Sequence, residues 1–255
     1  MNIAARFMAM AGAGAGGALR EVEYVQCDFS VPWVLPDGSE IDDATTNSDL
    51  TTGVGVGYDL SRYVSDGETV GSFLKPLSIV ASAELSNATA RGQDRVLEFV
   101  RPTATIKSFY GFSLVYAATS APVMRFGTHM NSATPESHAN EANYPVGIDV
   151  FRTYTMTFVL SGSSGKDIYG GIDGDVDLVR ANASTTSTAT LPCIALFRNH
   201  PRVNGGCVVR LKSVTIGADV DLVPVRQGSA VGFLNRVDGE VFLSTQPRFT
   251  AGPDL

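Results

Sequence analysis

Beyond residue 20, apolar side chains recur at every second position over long stretches, and no segment carries an apolar stripe at helical spacing. That period dictates extended strands with one oily and one wet face, because successive side chains of a strand leave on opposite sides. The clearest stretch is 151–160, where Tyr154, Met156, Phe158 and Leu160 alternate with Thr153, Thr155, Thr157 and Val159. Such a stretch reads as a half-buried strand of a two-layer sandwich. Further strands are expected over 22–29, 51–58, 69–85, 95–112, 114–119 and 123–126, and then over 167–171, 176–179 and 192–198. The last group is 207–216, 219–226, 230–236 and 240–244.

Turn chemistry separates these runs: Pro36-Asp37-Gly38, Ser65-Asp66-Gly67, Ser161-Gly162, Asp173-Gly174, Asn204-Gly205 and Asp238-Gly239. In 207–216 the apolar phase slips, since Val209 and Leu211 sit on one parity and Val214 and Ile216 on the other. A bulge near Lys212-Ser213 restores the register. Pro224, between Val223 and Val225, predicts an edge position for its strand, because proline cannot donate to a ladder. Two segments read as long loops, the acidic 39–47 and the polar 131–144.

The 26 glycines, 12 prolines and only 18% charged residues suit many short strands, and 255 residues suffice for one large β domain. The expected organisation is therefore an N-terminal arm with a Gly/Ala linker over 1–20, followed by one domain over 21–255. The arm also bears a faint likeness to a signal peptide around Arg6-Phe7-Met8-Ala9-Met10. Tether and degenerate signal both remain open, and the tether is the expected reading. A net charge of −7 without any Lys/Arg run repels phosphate backbones, which argues against nucleic acid as a partner. No window approaches the roughly 18 continuous apolar residues of a membrane-spanning helix, so membrane insertion is not expected.

Chemistry-bearing residues are sparse. A retaining glycosidase needs two carboxyl groups about 5 Å apart, and no Glu-x-Asp-x-Glu pattern supplies them. On that ground no catalytic residue is assigned and the chain is expected not to be an enzyme. Asp173, Asp175 and Asp177, with Asp167, offer oxygen ligands for Ca²⁺ at a sheet rim; the plainer reading is a solvated hairpin tip. No other cofactor is expected. His129, His138 and His200 are scattered over loops. Asn87-Ala88-Thr89 and Asn182-Ala183-Ser184 are formal glycosylation acceptors.

The three cysteines, Cys27, Cys193 and Cys207, show no zinc spacing. If 193–207 forms a hairpin turning near His200, Cys193 and Cys207 face each other and can pair; buried thiols are the alternative. Sugar binding asks for an exposed ring on which a pyranose stacks. Trp33, Tyr58, Tyr63, Tyr110, Tyr116 and Tyr144 are available, and Trp33, Tyr58 and Tyr144 are singled out as glycan contacts, against core packing as the alternative.

The C-terminal quarter carries a run of blocks: Ala195-Leu196-Phe197-Arg198-Asn199, Arg210-Leu211-Lys212-Ser213-Val214-Thr215-Ile216 and Leu222-Val223-Pro224-Val225-Arg226. Val231-Gly232-Phe233, Arg236-Val237-Asp238-Gly239-Glu240-Val241-Phe242 and Phe249-Thr250-Ala251-Gly252-Pro253-Asp254 follow, with Val22-Glu23-Tyr24-Val25 and Ile172-Asp173-Gly174 upstream. Their order resembles the concanavalin A-like/laminin-G-like jelly-roll proteins of bacteria and phages. After Tyr24 and around 244–248 the chain departs from that pattern, and 39–150 carries no motif of it. The resemblance implies an all-β, two-sheet antiparallel jelly-roll sandwich, a fold shared by lectins, adhesins and glycosidases.

The expectation is thus a structural and adhesive surface module, a virion fibre, decoration or tail component, with extracellular or bacterial cell-surface display as the alternative. Its arm would grip a virion or cell-envelope protein, its domain would meet surface glycans, and homo-oligomers would follow from virion symmetry. An exported bacterial carbohydrate-binding protein and a glycoside hydrolase are the competing readings.

Overall fold

The computed structural model describes residues 17–41, 57–60, 63, 77–86, 93–100, 109–115, 123–129, 139–145, 150–161, 165–184, 193–198 and 208–255. The strands are β1 (Arg20–Glu21), β2 (Val25–Asp28), β3 (Trp33–Val34), β4 (Glu40–Ile41), β5 (Tyr58–Asp59), β6 (Leu77–Ser86), β7 (Gln93–Val100), β8 (Phe109–Val115), β9 (Val123–His129) and β10 (Ala139–Pro145). They continue as β11 (Arg152–Ser161), β12 (Gly165–Ile172), β13 (Asp175–Ser184), β14 (Cys193–Arg198), β15 (Val208–Ile216), β16 (Val220–Gln227), β17 (Ala230–Asn235), β18 (Val241–Ser244) and β19 (Phe249–Ala251). Among the described residues there is no α-helix, and none therefore long and apolar enough to cross a membrane.

The strands form an all-β antiparallel sandwich. Its larger sheet runs β13-β12-β11-β6-β15-β16-β17-β18, with β2 beside β15, β19 beside β2 and β1 beside β16. The second sheet runs β10-β9-β8-β7-β14-β5, and β3-β4 is a small hairpin. Every pairing among the described residues is antiparallel. The sheets meet through aromatic rings. Tyr58 and Phe197 of the smaller sheet pack on Phe233 and Phe249 of the larger, with Tyr58 centroids 5.1 Å from both. Phe197 has a left-handed backbone (φ 53°), rare outside glycine; its buried ring is wedged among Phe29, Tyr58, Phe233 and Phe249.

Local chemistry explains the turns. Asp173 and Gly174 both have positive φ (54° and 90°), the type I′ geometry that joins β12 to β13 with two residues. The phase slip in β15 is a register shift between Leu211 and Ser213 against β6, so both halves of β15 still send their apolar side chains inward.

Other segments fold differently from expectation. The run 95–112 is two strands, β7 and β8, paired at Val100 and Phe109; Pro102 between them has no N–H to continue a ladder. Residues 131–144 are not one loop, since β10 takes 139–145 and pairs with β9, and in the acidic 39–47 Glu40 and Ile41 pair with Val34 and Trp33. Pro224 is not on an edge: β16 lies between β17 and both β15 and β1. The proline is accommodated at a seam, where pairing to β15 ends at Leu222 and pairing to β1 begins at Val225. Its carbonyl still accepts from Val22 N at 3.0 Å.

β14 and β15 do not form a hairpin, because β14 pairs with β5 and β7 while β15 pairs with β2, β6 and β16 in the opposite sheet. Residues 17–20, expected within the arm, lie against the domain. Arg20 pairs with Arg226, and Gln227 Nε2 donates to Gly17 O at 3.1 Å.

Candidate functional site

The larger sheet has a buried inner face and a solvent face, and β11 shows both. Tyr154 and Met156 are fully buried, whereas Thr153, Thr155 and Thr157 point outward and are partly accessible. Register extends this outer face sideways. Thr157 stands opposite Tyr169 on β12, which stands opposite Leu178 on β13, and Thr155, Gly171 and Val176 form the next row. Among the described residues Leu178 and Val176 are exposed large apolar side chains, at 50% and 39%. Among the described residues nothing hydrogen-bonds to the Tyr169 hydroxyl or stacks on its ring. A side chain at Gly171 would meet Asp175 O at 2.0 Å, so this glycine lets β13 lie close over β12 and brings Val176 and Leu178 in beside the threonines.

The same face ends in a second aromatic group at the other end of β11. Tyr24 and Phe151 lie 6.0 Å apart at 38°. Arg210 Cζ stands 5.0 Å from the Tyr24 centroid and Lys212 Nζ 4.1 Å from that of Phe151. Arg210 Nε donates to Gln26 Oε1 at 3.0 Å, and Lys212 Nζ pairs with Glu23 Oε1 at 2.8 Å. The β15 bulge puts Lys212 on this outer face beside Arg210 instead of turning it inward. Gly252 makes room here, since a Cβ would meet the Tyr24 ring at 2.9 Å. From Phe151 to Thr157 the strand spans about 20 Å at 3.3–3.4 Å per residue, the length of several pyranose units. Hydroxyls in such a row can hydrogen-bond a linear saccharide while the aromatic ends stack on its C–H faces.

The residues singled out from sequence fall elsewhere. Trp33 and Tyr58 are each 3% exposed and belong to the core, which corrects their reading as ligand contacts. Trp33 packs edge-on against Phe249 and beneath the Arg248 guanidinium, whose Cζ lies 4.2 Å from the ring centroid. Tyr58 Oη donates to Val231 O at 2.8 Å, and burial, with Cys27 nearby, pushes its phenol pKa well up. Tyr144 sits in β10 opposite Met124, with its side chain outside the described residues, and Tyr116 lies wholly outside them. Tyr63 Oη donates to Asp238 at 2.9 Å, and Tyr110 stands in β8 opposite Phe99 and Thr128.

The four aspartates are not brought together. Asp173 accepts from Thr153 N at 3.0 Å and Arg152 Nη1 at 2.5 Å, and these bonds, the backbone one first, lower its pKa. Asp175 and Asp177 stand opposite Ile172 and Gly170, while Asp167 has the parity of Tyr169 on the other face. Among the described residues no three His, Cys, Asp or Glu side chains could share a metal ion. Cys193 lies opposite Val100, Cys207 is outside the described residues, and Cys27 is a buried thiol.

Sequence reasoning passed over Tyr24, Phe151 and Tyr169, although parity with Thr153–Thr157 was a usable signal for Phe151. It also passed over Arg248, a fully buried arginine bonded through Nε (3.1 Å) and Nη2 to Val31 O.

No protein-family profile and no curated protein matches the chain. Solved structures similar to it include alginate lyase Aly36B, with TM-score 0.41, 10% identity, 77% of this chain and 97% of that one covered. Another is alginate lyase A1-II′ in a variant form, with TM-score 0.41, 10% identity and 76% and 94% coverage. A third is the Caenorhabditis elegans galectin LEC-6, with TM-score 0.32, 16% identity and 59% and 88% coverage. At these identities the likeness is one of fold alone. It still corrects the expectation of a non-enzyme: lyases stand among the similar folds, and the missing glutamate pair spoke only to hydrolysis. The chain is an all-β antiparallel sandwich.

Proposed function

We propose that this sandwich binds a linear carbohydrate along the outer face of its larger sheet, over β11, with Tyr169 and the Tyr24–Phe151 pair as the two stacking ends. The carrying observation is the row Thr153, Thr155 and Thr157 on the solvent side, flanked by Tyr169 and Leu178 at one end and Phe151 at the other. Apolar ring faces take the C–H faces of sugars, and hydroxyl, amide and guanidinium groups take their oxygens. Gln26 and Arg210 supply the last two kinds of group at the Tyr24 end, and Lys212 adds an ammonium. The display role belongs to the same proposal: residues 1–16, ahead of the docked 17–20, as a tether to a virion or cell-envelope protein, presenting the face to surface glycans, in a homo-oligomer. The Gly/Ala run 12–16 supports the tether.

The test is a glycan array with the full chain, followed by calorimetry on the best oligosaccharide. Binding that weakens at least tenfold in both Tyr169→Ala and Phe151→Ala, with Tm unchanged, supports the reading. An array without hits, or hits indifferent to both variants, ends it. Analysis of the oligosaccharide after incubation shows whether the bound chain is also cut.

A further inference from the structure

Two arginines, one on β1 and one on β16, converge on the carboxylate of Asp254. Arg20 on β1 stands directly opposite Arg226 on β16, a like-charge pair that antiparallel strands normally avoid. Asp254, held beside them by its bridge to Val22, answers both. Its Oδ1 and Oδ2 accept from Arg226 Nε and Nη2, each at 2.6 Å, and Oδ2 accepts from Arg20 Nη1 at 3.2 Å. Two guanidiniums thus share one anion, in a chain of net charge −7. Arg226 engages Asp254 through a two-bond fork, while Arg20 makes one longer bond and its side chain is 63% exposed.

Beside this cluster opens a cleft of about 230 Å³, lined by Gly17, Ala18, Arg20, Arg226 and Gly228. Among the described residues no acidic side chain lines it. Two of its walls are glycines: a Cβ at Gly17 would come within 3.2 Å of Gly228 N, and Gly228 (φ 60°) opens the tight turn between β16 and β17. Each guanidinium carries five N–H donors, and among the described residues Arg20 Nε and Nη2 and Arg226 Nη1 are not used. Donors in fork geometry, surplus positive charge and a walled space are what an oxyanion requires.

We propose that this cleft binds a single oxyanion group, a sulfate or a carboxylate, between Arg20 and Arg226. Asp254 is the competitor as well as the clasp: its charge holds the two arginines in place and weakens the field that an incoming anion meets. The site lies between β1 and β16 and does not rest on the carbohydrate reading of the β11 face.

Inorganic sulfate and glucuronate are each titrated into the full chain by calorimetry at fixed ionic strength, with chloride as the balancing anion. Saturable binding of either is expected; which of the two binds tells a free ion from a sugar-borne group. Arg20→Gln is expected to weaken it roughly tenfold, the worth of a charge-assisted bond, and Asp254→Asn to strengthen it several-fold. Because Arg20 is exposed and singly bonded, Arg20→Gln should keep the wild-type Tm. Neither anion saturating in wild type or Asp254→Asn, or equal affinity in wild type and Arg20→Gln, overturns the proposal.

Discussion

The phenol of Tyr58, carried by an edge strand of the smaller sheet, donates to the main-chain oxygen of Val231 in the larger sheet at 2.8 Å. This bond crosses the sandwich inside its aromatic core, where an unanswered polar atom is costly. Tyr58→Phe keeps the ring contacts with Phe197, Phe233 and Phe249 and removes only the donor. A loss of about 1–2 kcal/mol is expected. Urea unfolding should show a lower midpoint with an unchanged slope.

Asp254 predicts an acid response. Its hydrogen bonds from Arg226, then the neighbouring Arg20, hold its carboxyl pKa at about 2, against an ordinary 3.8. A lowered carboxylate contributes stability that is complete above the ordinary value and is lost as pH falls through the folded one. The β1–β16 clasp should therefore hold above about pH 4 and loosen between there and about pH 2. Hydrogen exchange of the 20–22 amides checks this; Asp254→Asn should lose this acid-dependent drop in protection.

Gly232 is a packing requirement of the β17–β18 pair. A Cβ there would fall 1.7 Å from Phe242 O. Since backbone has to move, Gly232→Ala should cost about 1–3 kcal/mol, seen as a Tm lower by roughly 2–12 °C for a domain of this size.

On the outer face, Gly171→Ala and Leu178→Ser separate fold from binding. A methyl at 171 meets the β13 backbone, so Gly171→Ala should lower both Tm and oligosaccharide affinity. Leu178 is half exposed, so Leu178→Ser should leave the fold's stability within about 0.5 kcal/mol of wild type while weakening binding. Calorimetry alongside thermal unfolding gives both readouts.

Trp33, the chain's one tryptophan, reports on the buried arginine above it. Arg248→Leu removes the donors to Val31 O and the cation over the ring. A loss of about 2–3 kcal/mol is expected, with altered native Trp33 emission. Arg248→Lys should not restore the wild-type spectrum, because an ammonium lacks the planar fork.

Alternation, turn dipeptides and the phase slip at Lys212-Ser213 depend on neighbours a few residues apart, so strands, the type I′ turn at Asp173-Gly174 and the β15 bulge were legible in the chain alone. Which strands meet is a long-range matter, and there the chain was silent. The pair Cys193 and Cys207 looked like two arms of a hairpin until β14 and β15 joined opposite sheets. Pro224 looked like an edge marker until the pairing seam placed its missing N–H where no ladder bond was needed.

The candidate site shows the same division. Trp33 and Tyr58 had the right side-chain chemistry for sugar, but inter-sheet packing buried both. Sequence determined that Thr153, Thr155 and Thr157 share a face, since a strand's side chains alternate whatever surrounds them. Tertiary structure alone decided that this face looks to solvent and that Tyr169, Tyr24, Phe151, Arg210 and Lys212 stand around it, because strand register is set across the whole sandwich.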